Sequence, residues 1–352
     1  MTDSPETPAK SHKSKLVISA LLVVVLVLLW MFRGKLHFDW ATLFHELRQV
    51  SLPPILLGIA ALYLAYYLRA VRWAILLAPI RKASSWELFP SQAIGFTIVA
   101  LFGRVADLAR PWLVARRLKM AATTQLAIYS IERAFDLAAT AILFSVTLAF
   151  APRDMPHHEA FVRAGIVSLA ATLFLATFAL SLRFAGETLA ALVARMLRPL
   201  SPKLGETVAA RLLDFREGLR AISTLSEFAS ALGVSLAMWL AISFGYVASA
   251  RAFHDSPELS KFSLSATMLL LATSMGGSML QLPIIGSFTQ IAVLAAALHG
   301  FFSVPLETAT ACAAVIVFVT TLAIMPLGLI LARVHGIGLR DAAQSAEAEA
   351  AV

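Results

Sequence analysis

Charged residues are scarce in this chain of 352 residues: they make up 14% of it, whereas a globular domain usually has about 25%. Hydrophobic residues make up 59%, and the mean hydropathy is +0.80. This shortage of charge excludes a soluble domain. Together with long uncharged runs, it predicts an all-α polytopic membrane protein, because each spanning helix needs about 20 mostly apolar residues.

Cysteine is nearly absent too, and Cys312 is the only one. A single cysteine excludes an intrachain disulfide framework and a CxxC metal or redox motif. The eight histidines show no HExxH or related spacing, so we expect no metal ion and no cofactor. A glycine-rich P-loop and a GxSxG motif are also missing, which argues against an enzyme.

Six apolar runs are long enough to be full membrane spans. They cover residues 16–32, 52–78, 125–150, 161–182, 228–250 and 304–332. The first run follows a basic segment, but no small-residue cleavage site closes it, so we interpret it as an uncleaved span. The predicted organisation is a disordered cytoplasmic tail over 1–15, a transmembrane domain over 16–335 and a disordered cytoplasmic tail over 336–352.

Two further segments, 86–120 and 264–302, pair a short apolar stretch with a break and a second short stretch. The breaks are formed by Gly103 and Pro111 in the first segment and by Gly276, Gly277, Pro283 and Gly286 in the second. Interrupted segments are typical of re-entrant or discontinuous helices, which line a cavity or are buried in protein. We interpret both as broken hairpins, which gives about eight membrane segments; the alternative is two ordinary helical hairpins.

The connection 184–226 combines apolar residues at helical spacing with interleaved arginines. It predicts two amphipathic helices, separated by Pro199 and Pro202, on the anionic cytoplasmic surface of the membrane. The alternative is a basic helix that binds a soluble partner.

Lysine and arginine are divided unevenly between the two sides of this topology. With a cytoplasmic N-terminus, 21 of them fall on the cytoplasmic side and 7 on the other, while Arg133 lies within a span. Because positive residues concentrate on the cytoplasmic side, both termini are predicted there, in a bacterial or archaeal-type inner membrane. The basic residues that produce the formal charge of +8 are explained by this topology, so no nucleic-acid partner is expected.

The two halves of the chain have the same order of span, hairpin and span, over 52–150 and 228–332. The charge count places the first hairpin on the cytoplasmic side and the second outside. This layout predicts an inverted repeat, by which many transporters obtain two access states.

Two charged clusters lie in the apolar part, where each charge costs about 2.5–3.5 kcal/mol. In the first hairpin, Asp107 has Arg104 and Arg110 at i,i+3 spacing, and Arg116 and Arg117 follow. The surplus of positive charge suits an anion, and guanidinium groups suit phosphate.

The second cluster is Glu132-Arg133-x-x-Asp136, in the span that follows. Its two acids share a helix face at i,i+4 and would repel each other without a basic partner, so we predict an ion pair with Arg104 or Arg110. The alternative for both clusters is a structural ion-pair network that fixes the hairpin.

Over about residues 50–335 the chain resembles the lysylphosphatidylglycerol synthase transmembrane region, a family of flippase-like integral membrane proteins. The resemblance is carried by Gly103-x-x-x-Asp107-x-x-Arg110-Pro111, Arg116-Arg117, Glu132-Arg133-x-x-Asp136 and Leu282-Pro283 followed by Gly286. The family usually has Glu at position 107 and an acid near position 290, whereas this chain has Asp107 and the neutral Gln290.

The resemblance implies about eight membrane segments and the handling of lipids or lipid-linked glycans. Some members carry a C-terminal domain that aminoacylates phosphatidylglycerol, and we expect it to be absent, since about 20 residues follow the last span. We predict a non-enzymatic protein that binds and translocates an anionic phospholipid or lipid-linked substrate. The alternatives are a membrane-embedded transferase with Asp107 or Glu132 as base, and a non-catalytic scaffold subunit; a homo-oligomer or a partner enzyme is left open.

In this hypothesis, Arg104 and Arg110 hold the phosphate and Asp107 orients them. The rest of the headgroup site comprises Arg116, Arg117, Glu132, Arg133 and Asp136. The second hairpin is the flexible outer gate, formed by Gly276, Gly277, Pro283, Gly286 and Gln290.

The charge count leads to a test of topology. A reporter fused after Val352 should report the cytoplasm, and one inserted near Met155 should report the opposite side, because positive residues stay on the cytoplasmic side. Paired activity and fluorescence fusions measure this. A periplasmic C-terminus would contradict the inverted repeat.

Overall fold

The computed structural model describes residues 38–151, 158–197, 201, 205–210, 224–278 and 286–350, and every regular element in these ranges is a helix. The helices are α1 (Trp40–Gln49), α2 (Leu52–Leu77), α3 (Ser85–Phe102), α4 (Ala109–Leu118), α5 (Ala122–Ala149), α6 (His158–Leu197), α7 (Leu225–Arg251), α8 (Pro257–Ser260), α9 (Leu264–Ser278), α10 (Gly286–Phe302), α11 (Leu306–Val317), α12 (Met325–Val334) and α13 (Leu339–Ala350). A 3₁₀ turn (Arg104–Leu108) joins α3 to α4, and a π-helical turn (Phe318–Leu322) joins α11 to α12.

Within the described ranges, three helical stretches are long and apolar enough to cross a membrane: Leu52–Leu77, Leu225–Arg251 and Leu306–Val334. They coincide with three of the predicted spans. The predicted span 125–150 corresponds to α5, which also carries the second charged cluster. The predicted span 16–32 and the tail 1–15 lie outside the described residues. The expected class, an all-α polytopic membrane protein, is confirmed.

Helix α6 is longer than a membrane is thick. Its 40 residues extend about 60 Å, whereas the hydrocarbon layer measures about 30 Å. The predicted span 161–182 and the first predicted amphipathic helix are therefore one continuous helix, since no proline interrupts it before Pro199. Of the second amphipathic helix, residues 205–210 are helical, and 211–223 lie outside the described part.

The first hairpin is broken at Gly103, whose φ of 84° is accessible to glycine and strained for other residues. Pro111 does not break the chain as predicted. It occupies the first turn of α4, where an amide needs no helical partner. The ten residues of α4 extend about 15 Å, half of the hydrocarbon thickness, which favours a broken hairpin. In the second hairpin, α9 and α10 flank residues 279–285, which are not described.

Packing follows the same scheme in the two halves of the chain. Helix α2 packs along α7, so that the first helices of both units meet. Helix α3 packs against α12, and its counterpart α9 packs against α5; α4 packs on α5, and its counterpart α10 packs on α11. This correspondence supports two repeated units.

The C-terminal segment differs from the disordered tail predicted over 336–352. Residues Leu339–Ala350 form α13, which packs on α3, α4 and the 3₁₀ turn. Ala342 and Ala343 are buried in a cluster with Ala106 and Leu113. Beyond Ile337 and Leu339 the segment has few large apolar residues, so the sequence predicts disorder, but alanine is the best helix former and is small enough for this contact.

A close contact between α3 and α12 can be tested at Gly328. A Cβ atom there would lie 2.7 Å from the Cβ of Thr97 and 2.8 Å from the carbonyl oxygen of Ala93. We expect Gly328→Ala to lower stability by about 1–3 kcal/mol, measured as a lower melting temperature in detergent. The matched control is Gly233→Ala in α7, where the added atom meets nothing within 4 Å. Equal melting temperatures for both variants would contradict the contact.

Candidate functional site

A network of buried ion pairs lies between the helices α2, α4 and α5. Arg72 of α2 is its tightest member and is fully buried. Its Nη2 atom lies 2.6 Å from Glu132 Oε1, and its Nη1 atom lies 2.7 Å from Asp136 Oδ1. The two acids are one turn apart on α5, so a single guanidinium bridges both and removes their repulsion.

Arg110 of α4 forms the second tight part of the network and is also fully buried. Its Nε atom donates to Asp107 Oδ1 at 2.7 Å, and its Nη1 atom lies 3.2 Å from both Glu132 Oε2 and Gln92 Oε1. The predicted ion pair between the two charged clusters is thus confirmed for Arg110. A Cβ at Gly95 would collide with the Arg110 side chain, so this glycine makes the approach of α3 possible.

Neutral side chains of α5 and α7 add further hydrogen bonds to the network. The hydroxyl of Tyr129 donates to Asp107 Oδ2 at 2.5 Å, and Trp239 Nε1 of α7 donates to Asp136 Oδ1 at 3.1 Å. Ser235, also on α7, accepts from Arg72 Nη1 at 2.9 Å. The network therefore ties α7 of the second unit to the helices of the first.

Arg133 lies at the edge of the network, with 38% of its side chain exposed. Its Nη2 atom is 3.2 Å from Asp136 Oδ2, and its Nη1 atom is 3.9 Å from Asp107 Oδ2. It stacks on the Tyr129 ring at 5.0 Å. Arg133 thus adds positive charge to both groups of acids without being enclosed by them.

Arg69 is the remaining cation of the network and the one with the loosest contacts. Its Nη1 atom is 3.7 Å from Glu132 Oε1 and from Asp136 Oδ2, and that atom has no hydrogen-bond partner. The guanidinium lies over the Phe96 ring at 4.9 Å. The arginines 69, 72, 110 and 133 outnumber the acids 107, 132 and 136 by one, so the network carries a net charge of +1.

Arg69 and Arg72 are functional-site candidates that the sequence reasoning missed. They stand near the end of an apolar run, and the predicted topology places them among the cytoplasmic charges. The signal that marks them is their i,i+3 spacing inside the run, five or more residues before it ends. Removal of these two and of the buried Arg110 from the cytoplasmic count leaves 18 against 7, so the predicted orientation keeps its basis.

Three other residues of the predicted headgroup site either lie away from the network or have a side chain that the structure does not describe. Arg116 and Arg117 are exposed at the end of α4, where Arg116 stacks on Trp112 at 5.5 Å. They are not part of the buried network. Arg104 lies in the 3₁₀ turn, and its side chain is outside the described part of the structure.

A cavity of about 210 Å³ adjoins the network between the two units. It is bordered by α2, α3, α7, α9, α10 and the π-helical turn, and its wall includes Arg69, Phe96, Gly103, Tyr246, Ser274 and Gln290. Gly286 lines it as well, so predicted residues of both hairpins border one space. Gly276 and Gly277 are in the last turn of α9, and Pro283 lies outside the described residues.

Neutral polar groups form the wall of the cavity on the side of the second unit. Gln290 Nε2 donates to Ser274 Oγ at 3.0 Å, and the hydroxyl of Tyr246 lies 3.3 Å from the same oxygen. Thr320 and Thr321 of the π-helical turn also line the cavity. In the described ranges, no group of three or more His, Cys, Asp or Glu side chains is arranged to hold a metal ion.

Comparison with known proteins agrees with the motifs. The family model described as the lysylphosphatidylglycerol synthase TM region matches residues 17–328, a range that contains the ion network and the whole cavity wall. The resemblance found in the sequence is thereby confirmed. No curated protein and no solved structure matches the chain.

The tight part of the network can be tested at Arg72. Arg72→Met leaves two buried acids without their closest partner, so we expect a loss of about 3–5 kcal/mol in stability, measured as a lower melting temperature in detergent. Arg117→Met, at an exposed position on α4, is the matched control and should change the melting temperature little. A similar small change in both variants would contradict the structural role of Arg72.

Proposed function

We propose that this protein binds and translocates an anionic lipid, because the chain belongs to the lysylphosphatidylglycerol synthase TM region family and is therefore an integral membrane protein related to lipid metabolism. One observation carries this proposal: the buried network has a surplus positive charge, and its most loosely held cation, Arg69, lines a cavity that both hairpins border. An anionic headgroup in that cavity would balance the surplus.

The proposed headgroup site consists of the cavity and the charged residues around it. Arg69 is the cation that a phosphate in the cavity meets first. Arg110 is enclosed by Asp107 and Glu132 and does not line the cavity, so its proposed part is to hold these acids in place. Arg133, at the exposed edge of the network, adds positive charge to the proposed site, and Arg104 keeps its predicted role as a phosphate ligand.

Translocation in this proposal uses the two repeated units. The broken hairpins border the cavity at Gly103 and at Gly286, so a movement of either hairpin would open the cavity to one side. The second hairpin, with Gly276 and Gly277 at the end of α9, is the proposed outer gate. Inverted repeats supply two such openings that exchange roles.

The proposal places the protein in the cytoplasmic membrane, with both termini in the cytoplasm and without a catalytic role of its own. The transferase alternative needs Asp107 or Glu132 as a base within reach of a substrate. Both acids are engaged in ion pairs with Arg110, and neither lines the cavity, which supports the transport proposal.

Lipid transport in proteoliposomes tests the proposal. The wild-type protein should speed the movement of fluorescent phosphatidylglycerol between leaflets, measured by loss of fluorescence to an external quencher. Gly276→Val together with Gly277→Val should slow this movement without abolishing lipid binding, because valine restricts the backbone at the end of α9. The control is Gly300→Val in α10, where an added Cβ meets nothing within 4 Å.

The alternatives give different results in the same assay. If the wild-type protein moves no lipid but converts a lipid-linked substrate into a new species, the transferase becomes the leading hypothesis. If it neither moves nor converts lipid and is purified with a partner enzyme, the scaffold subunit is favoured.

A further inference from the structure

Helix α1 lies at the level where three membrane-spanning stretches begin or end. The amide of Asp39, the residue that caps α1, donates to Oε1 of Glu307 in the first turn of α11 at 3.2 Å. Beyond the other end of α1, the amide of Ser51 donates to the carbonyl oxygen of Ala252, just after α7, at 3.0 Å, and α2 begins at Leu52. Because both ends of α1 are tied to the ends of spanning helices, α1 runs along the surface of the membrane.

Three apolar side chains of α1 point away from the protein. Trp40 is 65% exposed, Phe44 is 58% exposed and Leu47 is 36% exposed. Their i, i+4 and i+7 spacing places them on one face of the helix, while Leu43, beside them, is buried where α1 packs on α11. The Trp40 ring contacts the edge of the Phe38 ring at 4.9 Å between centroids, and Phe38 packs against the main core. The exposed aromatic face is therefore supported by the fold.

The opposite face of α1 is polar. His45 and Gln49 are exposed there, with their Nε2 atoms 3.0 Å apart. They lie about 140–180° around the helix from Trp40, since successive residues are about 100° apart. Glu46 and Arg48 balance each other, so the helix carries no net charge. An apolar face with tryptophan opposite a polar face is typical of a helix that lies in the membrane interface.

A lipid surface fits the exposed face of α1 better than a protein partner does. The exposed parts of Trp40, Phe44 and Leu47 amount to an area on the order of 300 Å². Each partner in a stable protein complex buries about 800 Å². The face also continues into the surface of the spanning helix α2, where Leu52 and Leu56 are exposed. The bilayer that surrounds α2 therefore extends to α1.

We propose that α1 is an interfacial helix whose side chains Trp40, Phe44 and Leu47 insert into the headgroup region of the bilayer. By the predicted topology, this is the outer leaflet. The attraction is apolar, because the helix has no net charge, so it requires no particular lipid headgroup. Through the contact with Glu307, α1 ties the second repeated unit to the bilayer surface. This role does not depend on lipid translocation.

Spin labels on two adjacent residues test this placement. In a Cys312→Ala background, which leaves no native cysteine, Phe44→Cys and His45→Cys are labelled in the full-length protein and reconstituted into phosphatidylcholine vesicles. Power saturation then compares collisions with oxygen, which concentrates in lipid, and with a water-soluble nickel chelate present on both sides of the membrane. We expect the label at position 44 to lie about 5–10 Å below the lipid phosphates and the label at position 45 to face water. Labels at the exposed positions Leu56 of α2 and His254, after α7, provide the lipid and water references.

The lipid composition provides a second test. The depth of the label at position 44 should be the same in phosphatidylcholine vesicles and in vesicles that also contain phosphatidylglycerol, because a helix without net charge gains nothing from an anionic surface. Insertion that occurs only with phosphatidylglycerol would overturn the apolar attraction.

Two other results would overturn the inference. Equal access of the nickel chelate to positions 44 and 45 would place α1 in water, and a label at position 44 that neither reagent reaches would mean that protein covers this face. Melting temperatures close to that of the Cys312→Ala protein establish that the labelled variants are folded, and Leu47→Cys repeats the measurement on the same face if Phe44→Cys is unstable. None of these readouts measures lipid movement, so failure here is distinct from failure of the proposed transport.

Discussion

Charge that is buried among membrane helices has to be balanced where it lies, and this constraint organises the centre of the protein. Helix α5 presents Glu132 and Asp136 on one face, and each would cost several kcal/mol alone. Arg72 and Arg110 reach them from two other helices. Because loss of one partner leaves another buried and unpaired, the network fixes α2, α4 and α5 relative to one another.

The cations of the network have two different roles. Arg72 and Arg110 are fully buried and engaged at hydrogen-bonding distance, so they hold the helices together. Arg69 is one turn from Arg72 on the same helix, yet its nearest acids are 3.7 Å away. The interactions that stabilise the fold are thus separate from Arg69, which lines the cavity, so the proposed binding of an anion there would leave the structural pairs intact.

Helix α2 connects this network to the second repeated unit. Its Tyr63 and Tyr66 hydroxyls donate to the carbonyl oxygens of Ala323 and Thr320, at and just beyond the π-helical turn. Single π-helical turns leave backbone groups without their usual helical partners and are frequent at functional sites. The same helix therefore carries the arginines of the site and supports the opposite wall of the cavity, so a shift of α2 would affect both.

Much of the architecture could be predicted from the sequence because apolar length alone determines whether a helix can cross a bilayer. The apolar runs at 52–78, 228–250 and 304–332 predicted helices at nearly their observed bounds. The repulsion expected between Glu132 and Asp136 predicted a basic partner, and Arg110 is one of the partners found. The motifs of the family could also be recognised in the sequence. The alanine-rich segment of α13 was not predicted, because its burial depends on a small surface that α4 and the 3₁₀ turn create.

Only the tertiary structure determined that the side chains of Arg69 and Arg72 turn towards the acids of α5. An arginine near the end of a span can extend to the membrane surface or turn towards the protein, and the local sequence is compatible with both. The acids of α5 lie about 60 residues away along the chain, so the choice depends on packing between helices. The cavity has the same origin: its wall combines α2, α3, α7, α9 and α10, and no single segment contains the pattern that specifies it.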